Sequence, residues 1–276
     1  MSSLFTVLIC HGLYHTPEFY QPLIETFASH GIEAHCPQLP SSDPSKLNVG
    51  DINAPNFDRD PPVAAYPQGD ADAKVITDSL HNLITESGKR VIILAHSAGG
   101  WVGTQAAVPP FQEKVRREKA LKGGIVGLFY FGAFVIPLDE SIHSFFQPKD
   151  GNVVVPPWLE FHPNGLATLK DPEQFLFHDL CAEEVTKWRP KLTASPIMTT
   201  VLTNDAYATL PSAYLILEGD RIVPKVYQES MATLQGQKTG KFKIYHSPAG
   251  HAAQLSHAEE LVTAVLDFEE GITALK

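Results

Sequence analysis

Cysteine is scarce: Cys10, Cys36 and Cys181 are too few and too scattered for a disulfide framework or a metal-ligand spacing. Cys10 closes one strand-like run and Cys36 lies in the next, so both read as small buried thiols of a reducing compartment. Basic residues are also in deficit. The 21 Lys and Arg stand against 31 Asp and Glu, a formal charge of −10 that disfavours nucleic acid and anionic membrane surfaces as partners. No apolar run approaches the ~18 residues of a membrane span. The apolar stretch at 4–9 is short and lacks the basic flank and small-residue cleavage site of a secretory leader, so a cytoplasmic location is expected. Repeats and low-complexity tracts are missing too. What remains is 276 residues of ordinary globular make-up, enough for one large core.

Strand-like and helix-like segments alternate along most of the chain. Residues 6–10 form a continuous apolar run, the mark of a strand buried on both faces. A helix is expected over 18–30, with Phe19, Leu23 and Phe27 in one stripe and Gly31 closing it. A short strand at 32–37 precedes a Pro-, Asp- and Asn-rich stretch, 38–69, too long for an idle connection. Helix 70–87, strand 91–95 and a helix from Gly99 to the Pro109-Pro110 stop follow. Further strands are expected at 125–134, 213–217 and 242–245, with helices at 224–234 and 258–270. This rhythm predicts an α/β fold with a mostly parallel sheet of about six strands covered on both faces. One stretch breaks it. Residues 137–210 show prolines, aromatics and helical scraps but no clear strand, so they are expected to form a helical cap inserted into a core of 1–136 and 211–276.

The carboxyl ends of parallel strands are where open α/β sheets place their sites. Ser97 lies there in AHSAG, between an apolar strand and a helix, flanked by Ala95, Ala98, Gly99 and Gly100. Such small neighbours are what a strained strand–turn–helix elbow needs to lift a serine hydroxyl off the sheet. The usual pattern is G-x-S-x-G, and Ala95 replaces its first glycine. Asp220 follows the strand at 213–217 in LEGDRIVP, with Glu218 and Asp139 as rival acids. His251 follows the strand at 242–245 in PAGHAAQ, where Gly250 marks a turn. His246 falls within that strand and His257 at the start of the last helix. His11-Gly12 ends the first strand, and His11 reads as a residue that shapes the turn.

The order Ser…Asp…His is that of the α/β-hydrolases. The chain resembles their short branch, which includes plant methylesterases and hydroxynitrile lyases, and is closer still to largely uncharacterised fungal hydrolases. CHGLYHTPEFYQPL, AHSAGG, LILEGDRIVPKVYQESM and AGHAAQLSHAEEL carry the likeness, with FHDLCAEEVTKW a weaker match. With Thr6 so near the start, the two strands that lead larger members are not expected. The resemblance implies a Ser97–His251–Asp220 triad. It also implies an oxyanion hole from the backbone N–H groups of Ala98 and Leu13, worth ~3 kcal/mol per donor. No metal or organic cofactor is implied.

Fold alone does not select a reaction. Hydroxynitrile lyases of this branch carry threonine and lysine where this chain has Gly12 and Ala252, which favours acyl transfer through an open oxyanion hole. The expected activity is hydrolysis of a small or medium hydrophobic ester or lactone. Gly12, Tyr14 and Trp158 are candidate substrate contacts, and Phe145, Phe146, Phe161, His162, Phe175, Phe177 and Trp188 are further cap residues for a pocket wall or the cap's own core. Tyr14 and Trp101 flank the site in sequence, with a structural role as the alternative for both. A lyase or cyclase on the same scaffold, or a ligand-binding receptor, are the alternatives. Monomer and homodimer both stay open.

Overall fold

In this computed structural model, which describes residues 5–150, 152–239 and 242–274, the strands are β1 (Thr6–Cys10), β2 (Glu33–His35), β3 (Arg90–His96), β4 (Gly124–Phe131), β5 (Leu159–Phe161), β6 (Leu166–Leu169), β7 (Ser195–Pro196), β8 (Ser212–Leu217) and β9 (Phe242–Ser247). The helices are α1 (Gln21–Ser29), α2 (Gly69–Leu80), α3 (Gly99–Ala106), α4 (Glu113–Glu118), α5 (Ile142–Phe146), α6 (Pro172–Phe175), α7 (Ala182–Trp188), α8 (Lys225–Thr239), α9 (Ala253–Ser256) and α10 (Ala258–Ala274).

Six strands pair in parallel in the order β2-β1-β3-β4-β8-β9. The continuous apolar runs lie inside this sheet: every residue of β1, β4 and β8 is buried, as two-sided helical cover requires. The strands at the two edges differ. β2 is short and partly exposed, and β9 is mostly exposed. Helix packing follows the apolar stripes. Leu261, Val262, Val265 and Phe268 of α10 are all buried, and Gly127 of β4 gives them room, since a Cβ there would come within 2.8 Å of Phe268 and Ile272.

Local chemistry shifts several boundaries. The helix expected over 18–30 is a 3-10 turn, Pro17–Tyr20, followed by α1, which turns Tyr20 as well as Phe19 into the interior. The strand expected over 125–134 ends at Phe131, because Gly132 takes a left-handed φ of 50° and redirects the chain. The cap is not purely helical. Between α5 and α6 the chain forms a hairpin, and β5-β6-β7 make a three-stranded antiparallel sheet where no strand was expected.

The stretch 38–69 is tied to that small sheet. Ser42 and Ser195 hydroxyls meet at 2.8 Å, Asn164 donates to the carbonyls of Phe57 and Arg59, and Gln68 donates to Ile197. A separate apolar cluster of Leu47, Val49, Leu166 and Ala194, with Phe57 and Tyr66 against it, cements loop to cap. Loop and cap therefore form one cover. No described helix is long and apolar enough to cross a membrane.

The loop is pinned to the core by Asp72, a fully buried carboxylate of α2 that accepts the Ser41 N–H at 2.9 Å and its hydroxyl at 2.5 Å. Burial raises its pKa to about 6 against these hydrogen bonds. The folded state therefore holds a proton that the unfolded chain releases near pH 4, and the stability linked to this group declines as pH rises from about 4 to about 6. Asp72→Asn, which keeps an acceptor for the N–H, is expected to abolish that decline. The wild-type-minus-variant difference in urea unfolding free energy should fall across this window by up to about 3 kcal/mol. A difference that is flat with pH would contradict the assignment.

Candidate active site

Ser97 sits between β3 and α3 with φ 53°, a left-handed conformation that a non-glycine residue holds only under strain. The strain is maintained by close packing on both sides. A Cβ on Gly99 would lie 2.0 Å from the Cys10 carbonyl oxygen, and one on Gly100 would lie 2.5 Å from that of Phe134. The Ser97 carbonyl accepts from the N–H groups of Gly100 and Phe134 at 3.0 and 2.9 Å. Ala95, the departure from the glycine pattern, is accommodated because Gly103 faces it. A Cβ on Gly103 would be 3.5 Å from that of Ala95 and 2.8 Å from Ile93.

Asp220, beyond the end of β8, directs Oδ2 at His251 Nδ1 across 2.7 Å. Its other oxygen accepts the N–H groups of Ile222 and Val223 at 2.8 Å each, and Gln228 donates to Oδ2 at 3.2 Å. These donors hold the carboxylate in one orientation. Gly132 leaves space for the pair, since a Cβ there would be 3.1 Å from Asp220 and 3.4 Å from His251. The rival acids are elsewhere: Glu218 pairs with Lys225 and His246 on the surface, and Asp139 is exposed. His257 is half-buried and bonds Ser256, apart from the cavity.

At the first-strand turn, Gly12 donates its N–H to the Tyr20 hydroxyl at 2.9 Å and Tyr14 donates to Ser195 at 3.1 Å. The Leu13 N–H between them has no protein acceptor among the described residues, and neither has that of Ala98. Gly12 also keeps the serine accessible, because a Cβ there would stand 3.0 Å from that of Ser97. His11 bonds the Gly12 carbonyl and accepts the Leu39 N–H. Burial lowers its pKa to about 4, so it is a neutral ring that shapes the turn.

Ser97, Ala98, Leu13 and His251 open on one cavity of about 400 Å³. Tyr14 and Trp158 are in its wall, with Phe146, Phe161 and Met198 from the cap. The other cap aromatics point away. Phe177 and Trp188 pack on Phe19 in the core, Phe145 abuts Phe146, Phe175 packs on the core cluster, and His162 bonds Asp58 and Thr168. Trp101 is buried and packs against Gly69.

An alpha/beta hydrolase family model matches residues 7–264 of the chain. The chain belongs to the alpha/beta hydrolase family. It is similar to an alpha/beta hydrolase, nvfD, of Aspergillus novofumigatus, with 26% identity and 94% of each chain covered. The fold of this hydrolase is similar to that of a pyrethroid hydrolase from Sphingobium faniae JZ-2, which shares 16% identity at a TM-score of 0.66, with 96% of this chain and 97% of that one covered. It is also similar to the fold of a methylesterase from Arabidopsis, which shares 16% identity at a TM-score of 0.65, with 95% and 98% covered. A tomato methylketone synthase I shares the fold as well, at 12% identity and a TM-score of 0.66, with 97% and 98% covered.

Several residues of the hydrolase site carried no sequence signal. His96 bridges Tyr20, 2.6 Å from its Nδ1, and the His251 carbonyl, 2.9 Å from its Nε2. Asp179, within the FHDLC stretch, accepts the Gly250 N–H and the Ser256 hydroxyl at 2.8 Å each, so the cap grips the loop that carries His251. His15 lies in the cavity wall beside Tyr14. Only spatial neighbours distinguish these residues from ordinary core histidines and turn acids.

Proposed function

We propose that this α/β-hydrolase cleaves a small or medium hydrophobic carboxylic ester or lactone through a Ser97–His251–Asp220 triad and an acyl-enzyme. The observation that carries this reading is the buried Asp220–His251 pair, 2.7 Å apart, whose histidine opens with Ser97 onto one cavity. His251 Nδ1 gives its hydrogen to Asp220, which leaves Nε2 as the base. That nitrogen takes the Ser97 proton as Oγ attacks the ester carbonyl, and Asp220 steadies the imidazolium that forms. The N–H groups of Leu13 and Ala98 stabilise the oxyanion. His251 then protonates the departing alcohol, and water releases the acid by the same route. No step requires a metal or organic cofactor.

The wall supports the substrate class. A cavity of about 400 Å³ whose largely apolar wall includes Phe146, Trp158, Phe161 and Met198 suits a compact apolar small molecule rather than a peptide or long lipid. Three unpaired cysteines, Cys10, Cys36 and Cys181, support a cytoplasmic setting. The shared fold does not choose the reaction, since methylesterase and methylketone synthase structures both match it.

A fluorophosphonate probe is expected to label the protein at Ser97, located by peptide mass. Across a p-nitrophenyl ester series kcat/KM should peak at short to medium acyl chains. Labelling elsewhere, or efficiency still climbing at palmitate, would count against the reading.

A further inference from the structure

One short stretch of the cap, 174–179, reaches the loops of both Asp220 and His251. Arg221, next to Asp220, donates from Nη1 to the Gln174 carbonyl at 3.0 Å. Leu176 stands in the cavity wall. Asp179 bonds the loop that carries His251. The same stretch therefore touches the acid turn, the base turn and the substrate space.

His251 is held from three directions. Asp220 fixes its ring through Nδ1 at 2.7 Å. The His251 carbonyl can only accept, so His96 donates to it from Nε2 at 2.9 Å. Both of these partners belong to the core. The third hold comes from the cap. A single oxygen, Asp179 Oδ2, accepts the Gly250 N–H and the Ser256 hydroxyl at 2.8 Å each. Gly250 precedes His251 directly and Ser256 ends α9 just beyond it, so one oxygen grips both ends of the turn that presents the imidazole. Gly250 permits this approach, because a Cβ there would lie 2.6 Å from His178 Cε1 and 2.7 Å from Asp179 Oδ1. Next to it, the Ala249 carbonyl accepts the Gly219 N–H at 3.0 Å, which ties the loop to the acid turn as well. The Asp179 side chain is 17% exposed, and its only hydrogen bonds among the described residues go to these two donors. Its other oxygen, Oδ1, is buried without a partner among them, and His257 Nδ1 stands 4.0 Å from Oδ2. Bonds from a backbone N–H to an ionised carboxylate are about twice as strong as neutral ones.

We propose that Asp179 is a positioning residue for His251: through Gly250 and Ser256, the cap sets the direction in which the imidazole faces Ser97. This rests on the esterase reading above and deepens it, since the cap then serves the base as well as covering the cavity. A base moved by about 1 Å loses on the order of 10²-fold in rate. The apolar wall that binds the substrate is untouched by such a move, so the loss falls on kcat and leaves KM nearly unchanged.

Two variants of similar volume test this. Asp179→Leu removes the acceptor, and Asp179→Asn keeps one for both donors. With p-nitrophenyl butyrate, kcat should fall by about 30- to 100-fold in Asp179→Leu with KM within about twofold, and Asp179→Asn should return to within about threefold of wild type. Rates are taken per serine titrated to completion with a fluorophosphonate, so the folded fraction does not enter. A proton spectrum supplies a second readout. The His251 Nδ1 hydrogen held by Asp220 should give a far-downfield resonance in the wild type and Asp179→Asn, and in Asp179→Leu it should move upfield or vanish. A folded Asp179→Leu protein with wild-type kcat or an unmoved resonance overturns the proposal, as does an Asp179→Asn protein as slow as Asp179→Leu. If Asp179→Leu does not fold, Ser256→Ala removes one donor alone and should show a smaller loss with the same spectral change. A Ser256→Ala protein identical to wild type in both readouts then overturns the proposal. If the wild type hydrolyses no ester, the esterase reading alone fails, and the resonance decides the role of Asp179.

Discussion

Ser97→Ala is expected to lower kcat for a p-nitrophenyl ester by roughly 10⁴- to 10⁶-fold while the protein stays folded. Removing the nucleophile of a Ser–His–Asp unit leaves only the residual acceleration of the oxyanion donors and binding. Here those donors are the free N–H groups of Leu13 and Ala98, which the substitution does not touch. Stability should change by no more than about 0.5 kcal/mol, because alanine meets the same left-handed φ of 53° as serine. Ser97→Gly supplies the contrast. It is equally inactive, but glycine accepts that φ freely, so the variant should be more stable by about 1 kcal/mol. Steady-state rates with guanidinium melts of the three proteins decide the matter. Hydrolysis persisting in folded Ser97→Ala would remove the serine from the mechanism.

Gly99→Ala should be the most damaging added methyl group among the described glycines. The added carbon would stand 2.0 Å from the Cys10 carbonyl oxygen and 2.6 Å from its carbon. Both are backbone atoms of β1, paired on both sides between β2 and β3, so no rotamer change relieves the clash. Either α3 lifts from the sheet or β1 shifts, and either move disturbs Ser97 together with the His11–Leu13 turn. The cost should exceed about 4 kcal/mol, which for a typical domain is a large share of total stability. Little folded protein should accumulate. Gly271→Ala in α10 is the control: nothing lies within 4 Å of its added carbon, and it should gain up to about 1 kcal/mol of helix propensity. A Gly99→Ala protein that melts within a degree of wild type would show that the helix does not approach β1 as described.

These two sites show how far local pattern reaches. The crowding of Ala95, Ala98, Gly99 and Gly100 around Ser97 announced a tight elbow, and the positions of Asp220 and His251 just past apolar strands placed them at the same sheet edge. The parallel sheet followed from continuous apolar runs, because two-sided burial leaves that mark in the sequence. The cap left no such mark. β5, β6 and β7 span three, four and two residues, too short for any alternation to emerge, and they become strands only by pairing with one another. The stretch 38–69 read only as too long for an idle connection, because its apolar contacts, Leu47 and Val49 against Leu166 and Ala194, come from segments far apart in the chain.

Chemistry at the site divides along the same line. Residue type and strand-end position were enough to nominate a nucleophile, an acid and a base, because those depend on the backbone path that apolar periodicity sets. The state of each imidazole depends instead on which hydrogens its neighbours can spare. Tyr20 lies 76 residues from His96, and His96 lies 155 from His251, so that chain of donors exists only once the sheet has assembled. His15 was one more histidine in the stretch HGLYH until folding brought its Nδ1 to 3.2 Å from the Tyr20 hydroxyl. Periodicity is a property of neighbours along the chain and survives in the sequence, whereas hydrogen-bond direction is a property of neighbours in space and arises only in the packed structure.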